Sequence, residues 1–538
     1  MFLAMAALAC AIGLTVKYGS TYRPVVEPVR EIEEIWALED AREESEEPLV
    51  TRLFCNGVPM AYDAENNVFY GSLGLENGAQ WPEIKLTASE ETAKGLSLCF
   101  ADDYGFDDCD AAIREGYSYQ IFAYTDTAYS YAEVVFTGLP LVNVTAEQTI
   151  EREDVPAQIE IALAAEGLQT NGRIHKRGGA SILNDKVGYK LEFTRTTDGK
   201  KKIYREIPGM GTDSQVILLP MNALDTTMMR DRLSWALYAR LTRRDEPFSA
   251  RKTQYCELFL NGEYRGVYLM LEPFSVRQEV AKAGEERLTT DSVYRTAVIS
   301  LSHGRPCMED PYSAATGFEL YYPMDGEPDF SPLADYFALL GETDDAAFMR
   351  RAAQSIDLDS ALRYDVVLQL FGLTDNVINN MYTWAQNSRG HTRYRFDFWD
   401  LDVSWGLKRD EIGEMHENWV FFPLVDRLLR ADEEGGVRQR YGEIYREVRE
   451  KAFDTEMVEA LVGQYAHELN DSGAMARNAE RWETENYAAD GYELVAFAAE
   501  RIALLDEPVR AMSAGEEIDL RFLEKTNYDD KGTPLSEE

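Results

Sequence analysis

The segment Thr374–Tyr382 reads TDNVINNMY and places Asp375 and Asn380 five residues apart. A carboxylate at the first position can take the proton of an attacking hydroxyl, and an amide oxygen at the second suits a hard cation such as Mg²⁺. Each residue alone is also an ordinary capping or turn residue. Eighteen residues after Asn380 begins Phe398–Gly406, FWDLDVSWG. Asp400 and Asp402 alternate there with Leu401 and Val403. An extended strand would put both carboxylates on one face, with Trp399, Leu401 and Val403 anchoring the other. Two carboxylates on one face repel unless solvent or a cation separates them. A base-type Asp, an Asn and an acidic metal strand, in this order and spacing, match the parts that carry out phosphoryl transfer in protein kinases.

Such chemistry also needs cations for the phosphates. Residues 177–193 offer Arg177-Gly-Gly-Ala-Ser181 and then Lys186-Val-Gly-Tyr-Lys190-Leu-Glu-Phe193. The Gly-Gly pair lets backbone amides approach an anion, and Arg177 and Ser181 flank it. Tyr189, Leu191 and Phe193 alternate with Lys190, so Lys190 rides a strand with an apolar back. It is the candidate phosphate-binding lysine, and Lys186 is a rival.

The elements that must hold these groups follow from periodicity. Asp225 to Leu241 reads as an amphipathic helix with Met229, Leu233, Leu237 and Leu241 on one stripe and Asp225 or Thr226 as N-cap. It offers no Glu to pair with the lysine; Asp231 is the substitute, and Arg230 reads as a positioning residue. Glu257–Glu272, ELFLNGEYRGVYLMLE, is a hairpin around Asn261-Gly262. Its second strand ends at Glu272, where an interlobe hinge would lie beside an adenine.

Four stretches together resemble the CotH kinase family of atypical protein kinases: RGGAS with KVGYKLEF, LLPMNALDTTMMRDRL, ELFLNGEYRGVYLMLE, and DNVINNMY with FWDLDVSWG. The family usually has Asn where this chain has Gly179 and Pro where it has Phe398; the acidic residues are in place. The resemblance implies a diverged kinase-like fold that binds ATP with Mg²⁺ (or Mn²⁺) and phosphorylates Ser or Thr on secreted or spore-coat proteins of bacteria. It implies Asp375 as catalytic base and Asp400 as metal ligand. Asn380 and Asp402 are implied as supporting ligands, and Lys190, Lys186, Arg177, Ser181 and Glu272 as nucleotide-binding residues.

The expected fold class is α+β, a two-lobed kinase-like domain preceded by a small all-β sandwich-like module. Residues 1–19 contain the apolar run MFLAMAALACAIGLTV and read as an export signal or signal-anchor, although the run is shorter than the ~20 residues of a comfortable membrane span. Residues 20–48 carry the acidic run Glu31 to Glu47 and read as a solvated stalk. Residues 49–145 hold short aromatic and β-branched runs between Gly-, Asn- and Asp-rich turns, the pattern of an all-β accessory module. Residues 146–525 carry the kinase-like domain, β-rich to about 275 and helical beyond, and 526–538 read as a disordered tail.

The chain has 538 residues and a formal net charge of −41. That balance argues against nucleic-acid partners, which need clustered positive charge, and against anionic membranes as a docking surface for the body of the chain. It allows a basic protein partner, in keeping with the Ser/Thr-bearing basic substrates that the resemblance implies. Six cysteines contain no CxxC pair, so no zinc ribbon is expected. Cys99 and Cys109 are close enough to close a small disulfide loop in an exported protein.

The leading expectation is an exported or membrane-tethered Ser/Thr protein kinase. The alternative is a surface adhesion or scaffolding protein that keeps the fold without turnover. A carboxylate-pair glycosidase built on Asp375 and Asp400 would leave Asn380 and the lysine strand without a role.

Overall fold

The computed structural model of the chain describes residues 25–27, 32–74, 84–89, 95–101, 113–178, 180–221, 225–296, 318–323, 329–388, 390–407, 419–420 and 422–516. In its first part, strand-forming runs alternate buried and exposed residues, as in Ser118–Tyr124. They build two sheets. The larger has seven strands, with the order Val26–Glu27, Ser97–Phe100, Ser118–Tyr124, Ala128–Thr137, Val68–Ser72 and Ala61–Asp63; Glu43–Glu44 pairs beside Ala128–Thr137. The smaller joins Val58–Pro59, Leu53–Cys55 and Leu86–Ala88. Leu53 and Leu86 from the small sheet share one core with Phe69, Ile121, Val134 and Phe136 from the large one.

The acidic segment expected to stand free as a stalk is different over 32–44. Ile32–Asp40 forms a helix whose Ile35 is fully buried, in one cluster with Cys99, Ala101 and Phe122. Tyr131 donates from its hydroxyl to Glu39 Oε1 at 2.6 Å. Leu38 and Ile35 give the helix an apolar side that finds the sheet, while Glu33, Glu34 and Asp40 stay exposed to water. The repulsion among them therefore does not extend the chain. Cys109 lies outside the described residues, as do the apolar run Met1–Val16 and the tail 526–538. Among the described residues no helix is long and apolar enough to cross a membrane.

Next comes a closed barrel of seven strands in the order Leu141–Thr145, Val155–Leu163, Glu166–Arg177, Gly188–Thr194, Gln215–Leu219, Glu263–Leu271 and Thr253–Leu260. It closes through a parallel pairing of Leu141–Thr145 with Thr253–Leu260. Alternation divides its side chains between two cores. Tyr189, Leu191, Phe193, Val216, Leu218 and Tyr268 fill the barrel. Ile217, Leu269, Leu271 and Tyr255 point outward into the core of the helical region. The predicted hairpin is present: Asn261 and Gly262 have φ of 54° and 78°, the positive pair that a tight two-residue turn requires.

Beyond the barrel, helices Leu358–Phe371, Gly436–Ala452, Thr455–Asp471, Ala474–Trp482 and Tyr492–Ser513 surround that second core. With them lies a four-stranded sheet ordered Phe318–Tyr322, Ser292–Thr296, Met381–Ser388, His391–Phe398. The helix Ala474–Trp482 lies along the barrel strand Glu263–Leu271. Asn478 Oδ1 accepts from Val267 N at 3.1 Å, Trp482 Nε1 donates to Arg265 O at 3.1 Å, and Arg477 pairs with the fully buried Glu257 at 2.8 Å. The N-terminal module reaches the same corner. Tyr70 packs on Tyr264 and Phe259, and Ala64 N donates to Gly262 O at 2.8 Å.

Candidate functional site

The helix Leu358–Phe371 delivers the chain to a short helix, Asp375–Ile378, so Asp375 lies at its first turn. Asp375 is 2% exposed, and its Oδ2 accepts from Asn380 Nδ2 at 2.9 Å and from Asn379 Nδ2 at 3.3 Å. With Nδ2 engaged this way, Oδ1 is the atom of the Asn380 amide that can act as an acceptor. Between them Asn376, fully buried, ties this loop to the acidic segment: its Nδ2 donates to Trp399 O at 2.7 Å and to Asn380 O at 3.3 Å. Trp399 N closes the arrangement on Asn380 O at 2.9 Å. The sequence spacing that suggested one site is therefore a direct contact between two segments.

The acidic segment is not the regular strand that its alternation predicts. His391–Phe398 is the last strand, and Asp400 takes a left-handed φ of 57°. The alternation of burial survives, with Trp399, Leu401 and Val403 buried and Asp400 and Asp402 half-buried. The kink at Asp400 means that strand alternation does not place the two carboxylates on one face. Asn380 is left-handed too, at φ 54°. Asn and Asp tolerate this region best among residues with a side chain, yet each such position is held against a cost of about 1–2 kcal/mol. Non-glycine left-handed residues of this kind gather at ligand-binding sites.

The helix Arg230–Tyr238 braces the segment from the other side. Arg230 Nε donates to Ser404 O at 3.1 Å, and Trp405 Nε1 donates to Ser234 Oγ at 2.9 Å. Arg230 is thus a positioning residue, and its remaining guanidinium nitrogens go to Asp225 and Glu493. Asp231, next to it, is 4% exposed. Burial, and then the negative charge of Asp400, push its carboxyl up to about 8. The structure therefore sets Asp231 against Asp400 and not against a lysine.

On the barrel, Lys190 stands half-buried between His175 and Ile217 of the flanking strands. Burial and then the charge of Lys202 lower its ammonium, with Arg177 and Arg173 adding to the repulsion and Asp154 opposing it. The groups around Lys190 form a mixed network in which Arg173 pairs with Asp154 and Glu192, and Lys202 with Glu192. The turn after Arg177 depends on glycine: Gly178 has φ 129°, and a Cβ there would meet Ser181 Oγ at 2.3 Å. Ser181 lies in the single turn Ala180–Leu183 beside it.

Two of the expected nucleotide residues are committed elsewhere. Lys186 Nζ donates to Val267 O at 2.6 Å and to Asn478 Oδ1 at 2.8 Å, with the ring of Tyr268 at 5.0 Å. It clamps the barrel to the helix Ala474–Trp482. Glu272 forms a bidentate pair with Arg244 at 2.8 and 2.6 Å and accepts from Lys252 N at 3.0 Å. Its carboxylate is consumed in holding the end of the hairpin, along a cleft also lined by Arg244, Lys252 and Pro273.

The donor set suits a hard divalent cation: the two half-buried carboxylates of Asp400 and Asp402 and the amide oxygen of Asn380 are all oxygen ligands. Among the described residues no three Asp, Glu, His or Cys side chains are already gathered at cation-binding distances. Asn376 and the facing of Asp231 on Asp400 are the functional features that spacing did not reveal. The first is a plain Asn beside the Asp of interest, and the second depends on how a helix lands.

No curated protein is detectably similar to the chain. A family model described as CotH kinase protein matches residues 174–505, from the barrel strand that leads to Arg177 through the helix that closes the second core. That span is more than half of the chain and contains every site residue considered above, so the chain belongs to the CotH kinase protein family.

Proposed function

We propose that the protein is an ATP-dependent Ser/Thr protein kinase, with the barrel and the helical region as its two lobes, exported and tethered through its N-terminal apolar run. The observation that carries this reading is the joined loop Asp375–Asn380 and Asp400, fastened by Asn376. A binding protein has no need to bury such a group of polar side chains together.

In this reading Asp375 accepts the proton of a Ser or Thr hydroxyl as its oxygen forms a bond to the γ-phosphorus. The bond from that phosphorus to the β–γ bridging oxygen breaks, and ADP leaves. Asn380 and Asn379 fix the orientation of the Asp375 carboxylate, and its burial keeps bulk water from competing. Lys190 and Arg177 bind phosphate oxygens, and Ser181 and the Gly178 turn shape the approach to them. Asp400, Asn380 and Asp402 hold Mg²⁺ or Mn²⁺, which when bound neutralises phosphate charge. The net charge of −41 draws basic segments around the acceptor hydroxyl, so basic coat-type or secreted proteins are the expected substrates.

The test is transfer of label from γ-labelled ATP with Mg²⁺ or Mn²⁺ to a Lys/Arg-rich peptide bearing Ser. Transfer by the wild type that is lost in Asp375→Ala and Asp400→Asn supports the reading. Equal behaviour of all three proteins overturns it in favour of a surface binding or scaffolding role.

A further inference from the structure

Arg477 stands where three parts of the chain meet. Its Nε and Nη2 donate to Glu257 of the barrel at 3.0 and 2.8 Å, and Nη2 also donates to Ser472 O at 2.8 Å, just before its own helix. The guanidinium carbon lies 5.4 Å from the ring centre of Tyr70, which belongs to the N-terminal module. Tyr70 in turn stacks on Tyr264, whose hydroxyl donates to the same Glu257. Beside this ion pair, Val68, Tyr70 and Val135 of the module share one small buried core with Phe259 and Tyr264 of the barrel. The module also reaches the turn that precedes the helix Ala474–Trp482: a Cβ on Gly116 would meet Ser472 O and Gly473 N at 3.1 Å. It is therefore packed on the barrel and on the helical region at once.

That double contact matters because of where it falls. Leu269 and Leu271 fasten one end of the strand Glu263–Leu271 to the helical core, and the helix Ala474–Trp482 fastens the other end through Val267 N and Arg265 O. From this geometry we infer that the N-terminal module is a brace between the two lobes, and that Tyr70 is a positioning residue for phosphoryl transfer. By seating Arg477 against Glu257, Tyr70 holds the second attachment in place. Lys190 and Arg177 belong to the barrel, whereas Asp375 and Asp400 belong to the helical region, so transfer depends on how the two are held against each other. The inference rests on the kinase reading for the reaction it affects; the seating of the helix does not need that reading.

Hydrogen exchange of the full chain, read at single sites, tests it beside steady-state label transfer from ATP. The Val267 amide is bonded to Asn478 Oδ1 and the Trp482 indole to Arg265 O, so both report directly on the seated helix. Tyr70→Ala should speed exchange at both about tenfold, with the amides of Ile121 and Val134 in the module's own core unchanged. The kcat for transfer should fall about fivefold or more while KM for ATP stays within about twofold. Tyr70→Phe keeps the ring and should match wild type in every readout. Tyr70→Leu keeps apolar bulk in the shared core but offers no ring to the guanidinium; it guards against poor folding of the Ala variant and is held to the same criterion. Exchange at Val267 and Trp482 that stays at the wild-type rate in both variants overturns the brace. Faster exchange with an unchanged kcat overturns the positioning role of Tyr70. If wild type transfers no label, the kinase reading fails, and the two exchange rates still decide whether the module braces the lobes.

Discussion

Asn380 Nδ2 lies 2.9 Å from Asp375 Oδ2, and the same Asn380 offers its backbone oxygen to Trp399 N at 2.9 Å. One residue therefore orients the candidate base and anchors the segment that carries Asp400. Its left-handed backbone, φ 54°, is what lets it face both ways.

Replacing Asn380 by Ala should lower phosphoryl transfer by about 10²-fold, because the base loses its orienting donor and the cation loses an oxygen ligand. Asp375→Asn should lose as much or more while ATP affinity stays within about twofold. Single-turnover label transfer, set beside an ATP-binding titration, separates the two effects.

Asn376 predicts a stability effect as well as a catalytic one. Asn376→Ala removes the side-chain donor to Trp399 O in a fully buried place, while Asn380 O keeps Trp399 N, at about 1–3 kcal/mol. Urea unfolding should show the lower midpoint, and transfer activity should fall with it even where the protein is fully folded.

The two lysines should separate cleanly. Lys190→Met is expected to weaken ATP binding about tenfold or more, a loss of ~1.4 kcal/mol or more, with little change in melting temperature. Lys186→Met is expected to do the opposite, since Lys186 is bonded to Val267 O and Asn478 Oδ1. Burial pushes the Lys186 ammonium down to about 7, against attraction from Cys256 and with a smaller repulsion from Arg265. Between about 7 and its ordinary value of 10.5 the unfolded chain binds a proton that the folded one does not, so stability rises with pH in that window. Below 7 both states are protonated and the dependence flattens. Unfolding midpoints of wild type minus those of Lys186→Met should therefore increase from pH 7 to 9.5.

The pair Arg477–Glu257 holds the barrel to the helical region, and Tyr264 donates to the same carboxylate at 2.7 Å. Arg477→Ala leaves a fully buried Glu257 uncompensated and should cost about 3–5 kcal/mol by equilibrium unfolding. Adding Glu257→Gln should recover part of the loss.

Local patterns were legible in the sequence, and contacts across long separations were not. The Asn261-Gly262 hairpin is where its turn chemistry predicts. The helix expected from Asp225 begins at Arg230, because Asp225 first folds a turn of its own: Oδ1 accepts from Thr227 Oγ1 at 2.6 Å and Oδ2 accepts from Arg230 N at 3.1 Å. Of the predicted stripe, Met229, Leu233 and Leu237 are buried, while Leu241 falls beyond the helix end at Tyr238 and is half-buried. The barrel closure of Leu141–Thr145 on Thr253–Leu260 joins segments more than a hundred residues apart, which no local periodicity encodes. At the site, the order of Asp375, Asn380 and Asp400 was readable. The left-handed turn at Asp400 was not, because its partner Asn376 reaches it only through tertiary packing. Lys186 and Lys190 ride the same stretch of sequence, and only the arrival of Asn478 distinguishes them.

That arrival has a temporal side. Lys186 meets Asn478 across 292 residues, and Glu257 meets Arg477 across 220. A ribosome adding about 5–20 residues per second releases the last barrel strand roughly 10–40 s before the helix Ala474–Trp482. Through that interval Lys186 and Glu257 have only their barrel partners, Val267 O and the Tyr264 hydroxyl, and the barrel wall is complete only once the helix Ala474–Trp482 has docked on it.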